Sequence, residues 1–313
     1  MTRVSTVGCR SPASPSGVHL ALNVYVWDRD AQDLLLVQGL GSAVRALVRS
    51  GAIHRLWLHR FDVRGPHVML VLGTPPEEGA RVKRCLSKTL REWMTSHPCT
   101  TVLEDDELQR RHRECRGRAL NPIDRRPGFA ANNSFAWASQ DPRTAYVFRK
   151  AVGIDPIALE TLLMELSLWS LTRLATGARS GCAVAWVAGL TQAFQAQGVD
   201  PEPFWRFYAS TLLLSLSVPI LDLDPAVVSR LPHWVGPHNM LWLDHAWRAA
   251  GAGASNWEGF PILARLVETS NAEASFRHAF VRELCHSVFA QLSLWVSIRI
   301  PIVLYAWHRT LQG

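Results

Sequence analysis

Two periodicities alternate along residues 18–103. Val18–Trp27 (VHLALNVYVW) alternates apolar and polar positions as a strand does, and Leu34–Arg49 then carries leucines and valines at helical spacing up to Gly51. Ile53–Phe61 and His67–Leu72 read as two strands, joined by the turn Asp62-Val63-Arg64-Gly65-Pro66. Glu77–Met94 reads as a helix, with Pro75-Pro76 at its start and Val82, Leu86, Leu90 and Trp93 on one face. Thr100–Leu103 is the expected last strand. The order strand, helix, strand, strand, helix, strand is that of a split βαβ, or ferredoxin-like, unit.

Beyond Leu103 the chain reads as a short helix and an irregular, proline-broken segment up to residue 133. From Ser134 the pattern is helical: Asp141–Val152, Pro156–Ala175, Cys182–Gln197, Glu202–Leu216, Asn239–Ala249, Ala272–Ile298, and Pro301–Leu311 with its proline at a permitted first position. Charges are sparse within 156–221, so these helices are expected to pack on one another. Gly251–Gly259 reads as a loop. The fold class is therefore α+β, an N-terminal ferredoxin-like sheet portion packed with a larger C-terminal helical bundle. The expected divisions are a flexible start over 1–17, an α/β portion over 18–133 and a helical portion over 134–313.

Composition narrows this reading. A chain of 313 residues, 48% hydrophobic and 19% charged, can bury a large core. Thirteen tryptophans stand against four tyrosines; they can fill a helical core or line a groove for an apolar or aromatic ligand. A net charge of +7 suits an acidic partner, although the basic residues are scattered except around Arg110–Arg126. No recognition module supports nucleic acid. Six cysteines, far apart and without a CxxC pair, fit reduced thiols in a cytoplasmic protein. Residues 1–17 lack the apolar run of a signal peptide, and the apolar helices are too short or too interrupted for membrane spans.

Familiar catalytic signatures are absent: there is no HExxH, GxSxG, Walker or dinucleotide motif. His233 and His238 flank Pro237 without a third ligand at metal-site spacing, and Glu160 and Glu165 share no helix face well. On a continuous helix over Ala272–Ile298, Ser287, Gln291 and Trp295 follow one side, offering a hydroxyl, an amide and an indole to a pocket. The same residues also suit a helix packed around a buried Trp295.

The hairpin adds a resemblance. LWLHRFDVRGPHVMLVL, with Trp57 to Asp62 in its first half and Gly65-Pro66-His67 at its turn, resembles the signature of the lantibiotic-dehydratase C-terminal family, also called the thiopeptide-type bacteriocin biosynthesis family. Asn121-Pro122-Ile123-Asp124 through Phe135 echoes a second family segment. The resemblance implies the fold of the dehydratase elimination domain. Elimination members use arginines after the Gly-Pro-His turn and a histidine in the last helix. Here Arg60 is kept, but the strand reads His67-Val68-Met69-Leu70-Val71 without either arginine, and in the last helix Leu294 and Ile298 fall where a histidine and an asparagine are expected, with only Arg299 kept there. The pattern is most similar to the thiopeptide pyridine synthases, which join two dehydroalanines of an azole-rich peptide by a formal [4+2] cycloaddition, then expel water and the leader peptide.

That resemblance implies Arg60, Ser287 and Gln291 as catalytic residues, and His59, Asp62, His67, Trp169, Trp295 and Arg299 as substrate contacts. It implies no cofactor and no metal. The implied partner is a ribosomally made precursor peptide, with other enzymes of its pathway, and neither nucleic acid nor membrane. Two alternatives stand beside it: a glutamate-elimination domain of a split dehydratase, and a leader-binding scaffold without catalysis.

Overall fold

Alternation sorts the first half of the chain into two cores. In the computed structural model, which describes residues 17–61, 64–116, 128–138, 164, 167, 168, 171, 176–214, 226, 228, 230–254, 281, 284, 285, 288, 289, 292 and 296–312, four strands form one antiparallel sheet. They are β1 (Val18–Tyr25), β2 (Arg55–Phe61), β3 (His67–Thr74) and β4 (Ser134–Trp137), in the spatial order β2-β3-β1-β4. Leu20, Leu22 and Val24 of β1, Leu56 and Leu58 of β2, and Val68, Leu70 and Leu72 of β3 point to one face. There they meet α1 (Arg29–Leu34), a π-helical turn (Leu35–Leu40), α2 (Gly41–Arg49) and α3 (Gly79–Ser96) through Leu35, Leu40, Val44, Val82, Leu86 and Leu90. Ala21, Trp57, Met69 and Val71 point the other way, into the core of the helical half. Every residue of β3 is buried, so this strand reads as a continuous apolar run rather than an alternating one.

The first helix begins earlier than periodicity suggests. Asp28 is its N-cap, accepting a hydrogen bond from the Ala31 N–H at 2.8 Å, and this opens α1 at Arg29 rather than at Leu34. The last strand is a larger correction. Residues 100–103 are not a strand; α4 (Asp105–Arg116) follows them, and β4 is built from Ser134–Trp137, where helices were expected. Asparagine side chains hold the earlier segment instead. Asn132 Nδ2 donates to the Cys99 and Thr101 carbonyls at 3.1 and 2.8 Å, and Asn133 receives the Cys99 N–H at 2.7 Å. Main-chain groups satisfied by side chains have no need of a neighbouring strand.

Gly65 closes the β2–β3 hairpin at φ +105°, with Arg64 also left-handed at φ 62°. A Cβ on Gly65 would lie 3.1 Å from Trp27 Nε1. Gly65→Ala is expected to lower unfolding free energy by about 1–2 kcal/mol, read as a lower urea midpoint at unchanged m-value.

The helical half is centred on α5 (Thr176–Ala196), which is apolar all round and therefore buried. Against it pack α8 (Pro237–Ala254) and α9 (Val296–Leu311), and α9 also packs on α6 (Glu202–Leu214); the short α7 (Leu231–Val235) precedes α8. Trp205 donates to Thr191 Oγ1 and Trp307 to Glu202 Oε1, each at 3.0 Å, so both indoles are satisfied core groups. Pro301 lies inside α9, five residues beyond its start, because the helix begins at Val296. Residues 251–254 belong to α8 rather than to a loop. The segment 141–152 and most of 156–175 and 272–295 lie outside the described residues. Among the described residues no helix is long and apolar enough to cross a membrane, no group of three metal-binding side chains forms, and the cysteines are free thiols. Burial pushes the Cys285 thiol up to about 12, which makes it a core filler and not a nucleophile.

Candidate functional site

Strand alternation divides the hairpin's polar residues between the two sheet faces. Arg60 lies with Leu56 and Leu58 on the α1 side, and His59 and Phe61 lie on the opposite side with Trp57.

Arg60 is held in a buried polar bridge. Its Nη1 donates to Gln32 Oε1 at 2.9 Å, and its Nη2 donates to Asp33 Oδ1. Gln32 is fixed in turn by a 2.7 Å bond from its Nε2 to the Val26 carbonyl. The second oxygen of Asp33 accepts from Nη1 of Arg179, on α5. One carboxylate thus joins β2, α1 and the first turn of the central helix, with the Arg60, Asp33 and Arg179 side chains only 5%, 7% and 8% exposed. Burial is the main force drawing the Arg60 pKa down to about 10; Asp33 opposes it, while Arg29 and Arg179 add to it. Arg60 stays a cation at neutral pH. Its Nε is buried without a partner among the described residues.

The other face gathers rings. His67 Nδ1 lies 2.9 Å from the Gly65 carbonyl, a contact that assigns the proton to Nδ1. The imidazole sits between Tyr25, at 4.8 Å, and Phe61, at 5.6 Å. His59 lies 5.7 Å from Phe61, and burial lowers its pKa to about 4, so it is neutral. In the next cross-strand row Asn23 lies opposite Met69, with its Nδ2 buried and unpartnered among the described residues. Arg64 covers Tyr25 at 5.9 Å and ties the turn to Gly128 through a 3.0 Å bond. In α9, Arg299 is 4% exposed and lies over the Phe289 ring at 6.0 Å, and Phe289 stacks on Tyr208 at 6.2 Å.

Among the residues expected from the sequence, His59 and His67 share this ring-lined face, Arg60 lies on the other, and Arg299 stands in the helical core that the first face packs on. Asp62, Trp169, Ser287, Gln291 and Trp295 lie outside the described residues. The sequence reading missed Asp33, Gln32 and Arg179. Arg179 carried a usable signal, since it is the one charged residue in the 21 residues of α5. Asp33 carried none, because α1 begins with several polar residues and nothing marks which of them faces inward.

No protein-family profile and no curated protein matches this chain. Solved structures do. The pyridine synthase TbtD, from thiomuracin biosynthesis, superposes with a TM-score of 0.67 over 94% of this chain and 97% of its own, at 15% identity. This chain has the TbtD fold. The tRNA-dependent lantibiotic dehydratase MibB from Microbispora sp. 107891 also superposes, with a TM-score of 0.54 over 97% of this chain but 29% of its own, at 16% identity. Both kinds of protein to which the hairpin motif points are therefore among those whose structures align, and this fold accounts for nearly the whole chain.

Proposed function

We propose that this protein is a thiopeptide pyridine synthase. It would join two dehydroalanines of a leader-bearing, azole-containing ribosomal peptide and release water and the leader. The observation that carries this reading is β3. Met69 and Val71, which stand where elimination members carry arginines, are 3% and 1% exposed. Both positions fill the helical core, so no arginine head could enter without displacing apolar packing. A glutamyl-elimination site lacks its strand arginines and helix histidine here, whereas a cycloaddition needs chiefly confinement, which can supply roughly 7–11 kcal/mol. The full-length likeness to TbtD supports the same choice. The sheet order with its two helix-bearing connections, which we read as ferredoxin-like, suits either activity.

In this reading the aromatic face around His67, Tyr25 and Phe61 receives planar azoles, together with Trp169 and Trp295. His59, Asp62 and Arg299 add polar contacts. Ser287 and Gln291 carry the chemistry by biasing an amide toward its iminol form and moving the proton that leaves with water. Arg60, whose Nη atoms hold Gln32 and Asp33 on the opposite sheet face, would serve the reaction by fixing β2 beneath the aromatic face. The two new C–C bonds form between atoms of the peptide itself, so the reaction needs no cofactor.

The test is incubation with a dehydrated linear precursor and mass spectrometry. The expected result is loss of water and leader mass. Ser287→Ala and Gln291→Ala should each slow this by at least about tenfold, the effect of one lost hydrogen bond in the transition state. Near-wild-type cyclisation in both would remove them from the site. The MibB likeness favours elimination as a second reading, and consumption of a glutamylated precursor in place of cyclisation would establish it.

A further inference from the structure

The sheet order leaves β2 and β4 as edges. At the β2 edge the Leu58 N–H donates to Ser167 Oγ at 3.1 Å. The β4 edge has no such partner among the described residues. The Ala138 N–H donates to the Ala21 carbonyl at 2.8 Å, and the register places Ala136 opposite Asn23 and Ser134 opposite Tyr25. Antiparallel pairing therefore turns the main-chain groups of Ser134 and Ala136 toward β1 and those of Phe135 and Trp137 away from it. The N–H and C=O groups of Phe135 and Trp137 take no partner among the described residues.

The strand is nonetheless firmly placed. Trp137 Nε1 donates to Ser87 Oγ on α3 at 3.0 Å. Lys83 Nζ lies 5.7 Å from the Trp137 ring centre, and Arg91 lies 5.8 Å from that of Phe135. Lys83, Ser87 and Arg91 are four residues apart, so they form one stripe along α3, and both cations are exposed. An edge unpaired among the described residues thus runs beside two solvated positive charges, on a chain of net charge +7.

We propose that β4 is a docking edge that takes an extended acidic peptide segment as a fifth strand. The segment's backbone pairs with Phe135 and Trp137, and its carboxylates meet Lys83 and Arg91. A second copy of this chain is a poor occupant, because it would bring two such cationic stripes together. Assigning the segment to the substrate rests on the function proposed above; the strand addition itself does not.

The test uses the full chain and a fluorescent peptide of alternating Glu and Val, about 8 residues long as an ordinary strand is, with its Gln/Val counterpart as control. The Glu peptide should bind at least roughly tenfold tighter than the control and weaken with salt. Lys83→Glu with Arg91→Glu should abolish the difference, and Lys83→Gln with Arg91→Gln should reduce it, both at unchanged circular dichroism. Hydrogen exchange at Phe135 and Trp137 should slow on binding. Equal affinity for the two peptides, unchanged affinity after charge reversal, binding without protection at those two amides, or their protection by self-association alone would each overturn the proposal. None of these measurements uses turnover. A chain that cyclises precursor yet fails them loses only the docking edge; one that passes them without cyclising loses only the proposed reaction.

Discussion

Asp33→Ala is expected to lower unfolding free energy by about 3–5 kcal/mol, the usual cost of removing one partner from a buried ion pair. The reason is what would remain. Arg60 and Arg179 each donate to a different oxygen of Asp33, and each is more than nine-tenths buried, so both guanidiniums would lose their counter-charge where solvent screens weakly. Asp33→Asn keeps the shape and loses the charge, and should fall close to the alanine variant. Replacing all three residues by apolar side chains of similar volume should restore most of the loss, since a buried pair need not exceed an apolar contact in stability. Urea unfolding of the three proteins checks this. A shift of less than about 1 kcal/mol in Asp33→Ala, the range of an exposed pair, would show that the bridge contributes little. The bridge also joins β2 and α1 to the first turn of α5, so hydrogen exchange in Asp33→Ala should quicken at that turn before it does in α3.

Features set by near neighbours in sequence were readable before the structure. The alternation of β1, the hairpin and the single apolar face of α3 all appear with boundaries shifted by a few residues at most. What escaped was set at a distance. Asp33 and Arg179 are 146 residues apart, and neither carries a local pattern that names the other. The last strand was misplaced because Thr100–Leu103 has apolar content but draws its hydrogen bonds from Asn132 and Asn133, more than thirty residues away. Pro301 was read as a helix start, whereas α9 begins at Val296 and runs through it, at the cost of the Ser297 carbonyl's helical partner. The tryptophan excess left core and groove open; Trp57, Trp186, Trp205 and Trp307 turn out to fill the core. For the site, the hairpin motif located the right element and not the side on which each residue works. Adjacent residues of a strand face opposite ways, so His59 and Arg60 serve different surroundings despite being neighbours in the motif.

Between pH 6.5 and pH 4 the fold is expected to lose about 3 kcal/mol through His59 alone, at 1.36 kcal/mol per pH unit for one group. Its imidazole is 4% exposed, and burial lowers its pKa from 6.5 to about 4. The unfolded chain therefore takes up this proton first. The contribution is complete above pH 6.5, declines as pH falls and is exhausted once pH passes about 4. Carboxylates titrate over part of the same range, so the informative quantity is a difference. His59→Phe keeps a ring beside Phe61 and removes the titration, and its stability curve should fall less steeply than that of the wild type across this window. Parallel curves would mean that His59 is charged in the folded protein. Nuclear magnetic resonance of the His59 ring offers a direct check, since its shift should stay constant from pH 8 down to about 5. A neutral His59 also limits what this face of the sheet can offer a peptide. It can donate or accept one hydrogen bond, but it cannot supply the positive charge that stabilises a departing carboxylate. That restriction agrees with the apolar β3 beside it.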